Sequence, residues 1–415
     1  DPSKVAKPAT AYADLLATPV TPAVAASIAR LKPDDRAALM LTSGSTGLPK
    51  VVPITFDNLV ANAVQCQQTI GEAAGWHENM LDWLPWHHAA GAFVLRTTLM
   101  EGGTLYIDDG KPAPGLFETS IRNLRDVSVS YFNNVPLGYT MLVDALEQDP
   151  VLRANFFKKM RLMLYGGAGL SQAVYDRLQA AAVAETGHRI MMTSGYGMTE
   201  TVSAFMVIHF PTDKVGIGLP APGATLKLAP VGDRYEVRAA GPMVTAGYLD
   251  EPEKTAAAFD EEGFYRTGDL AVFHDPEDPG QGLAFAGRAA EEFKLSSGTW
   301  VYGGGLRDGL IKALSPLVLD LVLCDDGRPY LGLMLWPTAG ADPAEIEARL
   351  RAFNGAQHGG AARIKRALLL KDPPSANAHE ISDKGTINRR AVIDRRASEV
   401  DRLYADAPDA GVMQL

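Results

Sequence analysis

Leu41-Thr42-Ser43-Gly44-Ser45-Thr46-Gly47-Leu48-Pro49-Lys50-Val51-Val52 is the stretch on which the fold reading turns. The apolar run before it, Ala37 to Leu41, reads as a strand that opens into four hydroxyls, two glycines and one lysine. Backbone N–H groups, hydroxyl donors and a fixed cation are what a polyphosphate needs. The spacing is not that of a Walker A loop, which requires Gly-Lys-Ser/Thr in succession; here Lys50 follows Pro49 and precedes Val51. A plain Ser/Gly turn is the alternative reading of the same residues.

Working outward, residues 37 to about 200 alternate short apolar runs with helix-period segments, as stacked βα units do. Phe56 to Ile70 is expected as a helix capped by Thr55, with Leu59, Val60, Ala63 and Val64 on its apolar face. Further strands are expected at Met80–Leu84, Thr104–Ile107, Val127–Phe132, Arg161–Tyr165 and Arg189–Thr193, and helices near Leu116–Leu124, Leu137–Glu147 and Gln172–Ala184, the last opened by Ser171. The implied class is α/β, a mostly parallel helix-covered sheet whose ligands bind beyond the carboxyl ends of the strands. After residue 215, Thr225–Leu228 and Tyr235–Arg238 flank Gly232-Asp233 as an antiparallel hairpin, the start of a β subdomain. Beyond Gly287 a charged, Gly-rich stretch precedes a small α+β domain. Its hairpin pairs Leu317–Cys324 with Tyr330–Trp336 around Asp326-Gly327, and its helix spans Pro343–Phe353.

The 415 residues suit two or three domains, each able to bury a core. A net charge of −10 argues against a nucleic-acid partner, whose phosphates require a basic surface. No apolar run reaches the ~18 residues of a membrane helix, so no membrane partner is expected. Two distant cysteines, Cys66 and Cys324, offer no disulfide framework and suit a reducing cytoplasmic location. The chain opens at Asp1 in an Ala/Pro-rich stretch, and an N-terminal portion is expected to be missing.

Four more motifs stand in order along the chain: Gly195-Tyr196-Gly197-Met198-Thr199-Glu200-Thr201, Tyr265-Arg266-Thr267-Gly268-Asp269-Leu270, Gly287-Arg288 and Lys384-Gly385. With the hydroxyl-rich loop, they resemble the phosphate-binding, central, ribose-binding, interdomain and C-terminal lysine motifs of the adenylate-forming superfamily. That superfamily includes acyl-CoA synthetases, peptide-synthetase adenylation domains and firefly luciferase. The motifs span residues 42 to 390, and several in register are far more specific than one alone. The wording Phe293-Lys-Leu-Ser-Ser-Gly-Thr-Trp300 is similar to feruloyl-CoA synthetases. Two departures stand out: Ala290 occupies the place where many members keep an Asp or Lys hinge, and Tyr302-Gly303-Gly304-Gly305-Leu306-Arg307 does not follow the family pattern.

The resemblance implies roles residue by residue. Thr42, Ser43, Gly44, Ser45, Thr46, Gly47 and Lys50 would cradle the phosphates of ATP, and Thr199 would contact phosphate. Glu200 would hold Mg2+, since a carboxylate beside a triphosphate needs a hard cation between them. Tyr196 would stack on adenine, with a core tyrosine as its plain alternative. Gly166, Gly167, Ala168 and Gly197 would line the nucleotide and acyl sites, Asp269 would accept the ribose hydroxyls, and Arg288 would pair with ribose or phosphate. His88, in Leu84-Pro-Trp-His-His-Ala-Ala-Gly91, would gate or polarise the acid. Its neighbour His87 is expected on the opposite face of a strand, which argues against a metal pair. Phe132 and Val135 are candidates for lining the acyl ring from a strand end. Lys384 would bridge the acyl carboxylate and the α-phosphate, delivered by a domain that then swings away.

Residues 1–287 are thus expected to form an AMP-binding domain, incomplete at its start, and residues 288–415 a mobile C-terminal domain. The implied protein is an ATP-, Mg2+- and coenzyme A-dependent acid–thiol ligase acting on a small-molecule carboxylic acid of the hydroxycinnamate or other aryl type. An adenylation domain serving a carrier protein, or a truncated nucleotide- or acyl-binding protein without turnover, is the alternative. A homodimer stays open as its own assembly.

Overall fold

Two short helices, α1 (Tyr12–Leu16) and α2 (Pro22–Ile28), lead into strand β1 (Arg36–Thr42), and the chain returns as β2 (Lys50–Thr55). The computed structural model describes residues 10–42, 50–113, 115–289, 292–296, 300–324, 328–357, 362–375, 378, 380–381 and 387–415. β1 and β2 pair antiparallel, with Thr42 opposite Lys50, in a two-stranded sheet of their own. This corrects the expectation of a first βα unit: the hydroxyl-rich stretch joins two hairpin strands and does not run from a parallel strand into a helix. Pro53 within β2 obscures that strand in the sequence, because proline is disfavoured inside sheets.

Helix α3 (Phe56–Cys66) starts at a reciprocal cap: Asn58 N–H donates to Thr55 Oγ1 at 3.1 Å and Thr55 N–H donates to Asn58 Oδ1 at 3.0 Å. Its expected apolar face is met only in part, with Leu59 packed against the cluster of Met40, Val52 and Ile54. Val60 and Val64 are exposed, while Asn58, Asn62, Gln65 and Cys66 are buried. The buried amides are matched to acceptors: Asn58 Nδ2 donates to the Pro242 carbonyl at 2.7 Å and Asn62 Nδ2 to the Ala204 carbonyl at 2.8 Å. A π-helical turn at Gln67–Gly71 and the short α4 (Glu72–Ala74) complete this run.

Next come β3 (Asn79–Asp82), α5 (Ala89–Met100), β4 (Thr104–Ile107), α6 (Phe117–Asp126), β5 (Tyr131–Asn134), α7 (Pro136–Gln148), α8 (Pro150–Phe157), β6 (Leu162–Gly166), α9 (Gln172–Thr186), β7 (Met191–Gly197), β8 (Ala204–Val207) and β9 (Leu219–Pro220). They build a sheet ordered β4-β3-β5-β6-β7-β8-β9, parallel from β4 to β7 and antiparallel beyond. Alternation along the strands sends Leu81, Phe132 and Met163 into one apolar cluster and Met80, Tyr131 and Leu162 into another, one on each face. Ser171 caps α9 by accepting the Val174 N–H.

β10 (Thr225–Val231) and β11 (Arg234–Ala240) form the expected hairpin. With α10 (Pro252–Ala258) between them in sequence, β11 is followed by β12 (Tyr265–Phe273) and then β13 (Leu283–Arg288), giving an antiparallel sheet ordered β10-β11-β12-β13. The remaining elements are β14 (Glu292–Lys294), β15 (Trp300–Tyr302), α11 (Gly303–Leu314), β16 (Val318–Cys324), β17 (Leu331–Pro337), α12 (Pro343–Ala356), β18 (Ile364–Leu369), α13 (Arg389–Arg395), α14 (Ala397–Tyr404) and β19 (Val412–Gln414). Two apolar clusters here draw their members only from Leu295 onward.

Candidate active site

The hairpin β1–β2 is tied to the segment before α10. Leu249 N–H donates to the Val51 carbonyl at 2.9 Å, and Thr245 Oγ1 donates to the Pro53 carbonyl at 2.8 Å. Thr245 N–H also donates to the Glu200 carbonyl at 2.8 Å. One segment therefore fixes both the base of the hydroxyl-rich loop and the 3-10 turn Thr199–Thr201, which follows β7. This brings together two motifs that lie about 150 residues apart in the chain.

At their junction Glu200 is buried, and Tyr248 donates its hydroxyl to Glu200 Oε1 at 2.8 Å. Lys50 Nζ donates to Tyr248 Oη at 2.7 Å and lies 3.9 Å from Glu200 Oε1. The Tyr265 hydroxyl is 3.2 Å from that of Tyr248. Burial lowers the Lys50 pKa from its usual value, opposed by the charge of Glu200. Burial, reinforced by Glu200, raises both tyrosines, so they remain neutral hydroxyl donors. Thr42, paired with Lys50 across the hairpin, has its Oγ1 buried with no hydrogen-bond partner among the described residues.

The backbone past Glu200 is strained. Val202 has φ 66° and ψ −54°, and Ser203 N–H donates to the Thr201 carbonyl at 2.7 Å. That is a γ-turn with its central residue at positive φ, costly for a β-branched residue and concentrated at functional sites. Val202 is held there by an apolar cluster with Met40, Val52, Ile54 and Tyr248.

A second group lies where β7 meets β12. Tyr196 donates its hydroxyl to Asp269 Oδ2 at 3.1 Å, and Arg288 Nε is 3.2 Å from Asp269 Oδ1. Burial raises the Asp269 pKa, with Arg288 and Tyr196 opposing it. The Tyr196 ring leans on Phe205 at 5.6 Å. Gly197 serves the protein's own packing: a Cβ there would lie 1.9 Å from the Ser203 carbonyl oxygen. Gly167, with φ 80°, and Ala168 are exposed after β6, beyond half-buried Gly166.

His88 occupies the N-cap position of α5, not a strand, and its ring centroid is 4.4 Å from that of His87. The expectation that the two rings face opposite ways is thus corrected, because the chain turns here into a helix. Phe132 is also displaced from its expected place: it is buried edge-on against Tyr139 and Phe156 in the sheet core. Val135 occupies the N-cap position of α7, and its Cγ1 would lie 3.8 Å from a Cβ at Gly167. Ser43, Gly44, Ser45, Thr46, Gly47, Ala290 and Lys384 lie outside the described residues. Tyr248 and Thr245 are site neighbours that the sequence reading did not single out, and Tyr265 was read only as the first residue of the ribose-type motif.

The oxygen donors around Glu200 are hard ligands of the kind Mg2+ prefers. Among the described residues no group of three or more His, Cys, Asp or Glu could hold a metal by itself. One carboxylate supplemented by substrate phosphates is the usual arrangement for Mg2+, so the residues present fit that ion. No helix among the described residues is long and apolar enough to cross a membrane.

Comparison with known proteins places these features in a family. Residues 3–249 match the AMP-binding enzyme model and residues 304–408 match the AMP-binding enzyme C-terminal domain. A 2-succinylbenzoate–CoA ligase of Staphylococcus aureus is 31% identical over 245 residues, covering 57% of this chain and 45% of that protein. Atromentin synthetase of Serpula lacrymans is 27% identical over 281 residues, covering 58% of this chain and 27% of that protein. The chain thus spans half or less of the length of these curated relatives. Among solved structures, the AMP complex of O-succinylbenzoate coenzyme A synthetase from Bacillus subtilis superposes with a TM-score of 0.67 at 21% identity, covering 87% of this chain and 69% of that one. At that identity the likeness speaks for the fold. With more than half of its residues matched by one family model and most of the remainder by its C-terminal counterpart, the chain belongs to the AMP-binding enzyme family.

Proposed function

We propose that the protein is an AMP-forming carboxylic acid–CoA ligase acting on an aryl acid, in which residues 1–287 bind nucleotide and acid and residues 288–415 supply a mobile lysine. The observation that carries this reading is the convergence of Lys50, Thr42 and buried Glu200 at the mouth of the hydroxyl-rich hairpin, with Tyr248 joining the first and last of them. Lys50 and the loop hydroxyls would receive the phosphates, and Asp269, steadied by Tyr196 and Arg288, would accept the ribose hydroxyls. Glu200 would hold Mg2+, which when bound offsets phosphate charge.

The acid's carboxylate oxygen would attack the α-phosphorus, forming acyl-AMP as the bond to pyrophosphate breaks. Lys384 would stabilise the crowded oxygens in that step. The thiol sulfur of coenzyme A would then attack the acyl carbon and AMP would leave. His88, at the start of α5, would face the acid. Similarity to a ligase whose name specifies 2-succinylbenzoate supports an aryl substrate, as does the feruloyl-type wording of residues 293–300. A cytoplasmic location and a homodimer belong to the same proposal.

A panel of aryl, dicarboxylic and fatty acids assayed for AMP release, with mass detection of the thioester, tests it. An aryl acid that yields pyrophosphate and a CoA thioester supports the proposal. An acyl-AMP that never passes to CoA redirects it to a carrier-protein acceptor, and absence of pyrophosphate release with every acid defeats it.

A further inference from the structure

Tyr248 is 198 residues from Lys50 in sequence and 48 from Glu200, yet its hydroxyl is shared between them. Its oxygen accepts from the Lys50 ammonium while its hydrogen goes to Glu200 Oε1. At 3.9 Å, Lys50 and Glu200 are too far apart for a direct hydrogen bond, so the phenol is the link that aligns them. The same ring lies 3.9 Å beneath the Lys50 ammonium, a cation–π contact that fixes the lysine from a second direction. Tyr265 supplies a further hydroxyl 3.2 Å from Tyr248 Oη. Tyr248 is itself rigid: it is buried in the cluster of Val202, Met40, Val52 and Ile54, and its N–H donates to Thr255 Oγ1 at 2.9 Å.

We propose that Tyr248 is a positioning residue that sets the phosphate-side lysine and the metal-side carboxylate in one line, with Lys50 neutralising Glu200 until a triphosphate draws the lysine away. This rests on the reading of Lys50 and Glu200 given above. Lys50 can follow the phosphates only by releasing Tyr248 Oη, and Glu200 then keeps its direction through the bond from the same hydroxyl. The requirement for divalent cation is thereby coupled to the presence of the β- and γ-phosphates. AMP, which lacks them, makes no demand on the arrangement.

The test is calorimetric binding of AMP, and of ATP at graded Mg2+ concentrations, to the wild-type protein, Tyr248→Phe and Tyr265→Phe. Tyr248→Phe is expected to bind AMP within about twofold of wild type and to need about tenfold more Mg2+ for half-maximal ATP binding, the scale of one charge-assisted hydrogen bond. Tyr265→Phe is expected to shift the Mg2+ requirement less, by about two- to threefold. A purely structural role for Tyr248 would weaken AMP and ATP alike, and that result overturns the proposal. So does an unchanged Mg2+ requirement in Tyr248→Phe that still binds AMP normally. If the wild-type protein binds neither nucleotide, the ligase reading falls and this proposal with it, an outcome distinct from the other two.

Discussion

Tyr196 donates its hydroxyl to the buried Asp269 carboxylate at 3.1 Å. The tyrosine expected to serve nucleotide through its ring thus also acts through its polar end, on the residue expected to hold the ribose. Burial pushes the Asp269 pKa above its usual range, and Arg288 and Tyr196 pull it back. Ribose recognition requires the ionised acceptor, so affinity falls as pH drops toward that raised pKa. Removing the Tyr196 hydroxyl takes away one lowering contribution. Tyr196→Phe should therefore bind AMP about two- to tenfold more weakly at pH 8 and move the acidic limb of binding to higher pH. Titration of AMP affinity from pH 5 to 8 checks both; an unmoved acidic limb refutes the pairing.

Asp82, at the end of β3, should make stability depend on pH. Burial raises its pKa to about 7, against backbone donation from Leu84 and Trp83. For an acid with a raised folded-state pKa, its stabilising contribution is complete below the unfolded value near 4 and is lost as pH rises to about 7. Asp82→Asn should be free of this loss, so the difference between the two proteins should change by roughly 3–5 kcal/mol between pH 4 and pH 8. Urea unfolding at the two pH values measures it.

Asn62→Ala should destabilise the protein by about 1–3 kcal/mol, because the half-buried Ala204 carbonyl loses its amide donor and a buried side chain is truncated. Val60→Thr on the outward side of the same helix should stay within about 0.5 kcal/mol. Equal costs at the two positions, read by denaturant midpoint, would contradict the orientation of α3.

Lys384→Ala should slow acyl-AMP formation by about 2.7–4 kcal/mol, the scale of a lost transition-state donor, and leave thioester formation from supplied acyl-AMP largely intact. Separate assays of the two half-reactions decide; equal losses contradict the assigned role. Just outside its loop, Ile381 bridges Ile387, and Asn388 N–H donates to the Glu380 carbonyl at 2.9 Å. Buried Glu380 is in turn clasped by Arg395 at 2.6 Å and Arg396 at 2.8 Å, so the described residues on either side of Lys384 form a fixed stem.

The parallel sheet was legible because its strands are short apolar runs separated by helix-period segments, and Thr55 and Ser171 cap as their sequence context implies. Of the stripe read for helix α3, Leu59 packs against the core but Val60 and Val64 face outward. Periodicity weighs apolarity, and it gives no sign that Asn58, Asn62 and Gln65 will meet partners more than 140 residues away. The hairpin at β1–β2 was hidden by Pro53. Tyr248 has no local signal either: its importance comes from the two residues it touches, which only the folded chain brings to it.

The bend at Val202 limits how the neighbourhood of Glu200 can vary. Glycine there would relax the backbone, but it would also empty the space behind Tyr248; a bulkier residue would keep that space filled and sharpen the conformational conflict. The carboxylate's aim is therefore guarded by a buried apolar side chain behind it, and substitutions at this valine should cost stability as well as displace Glu200.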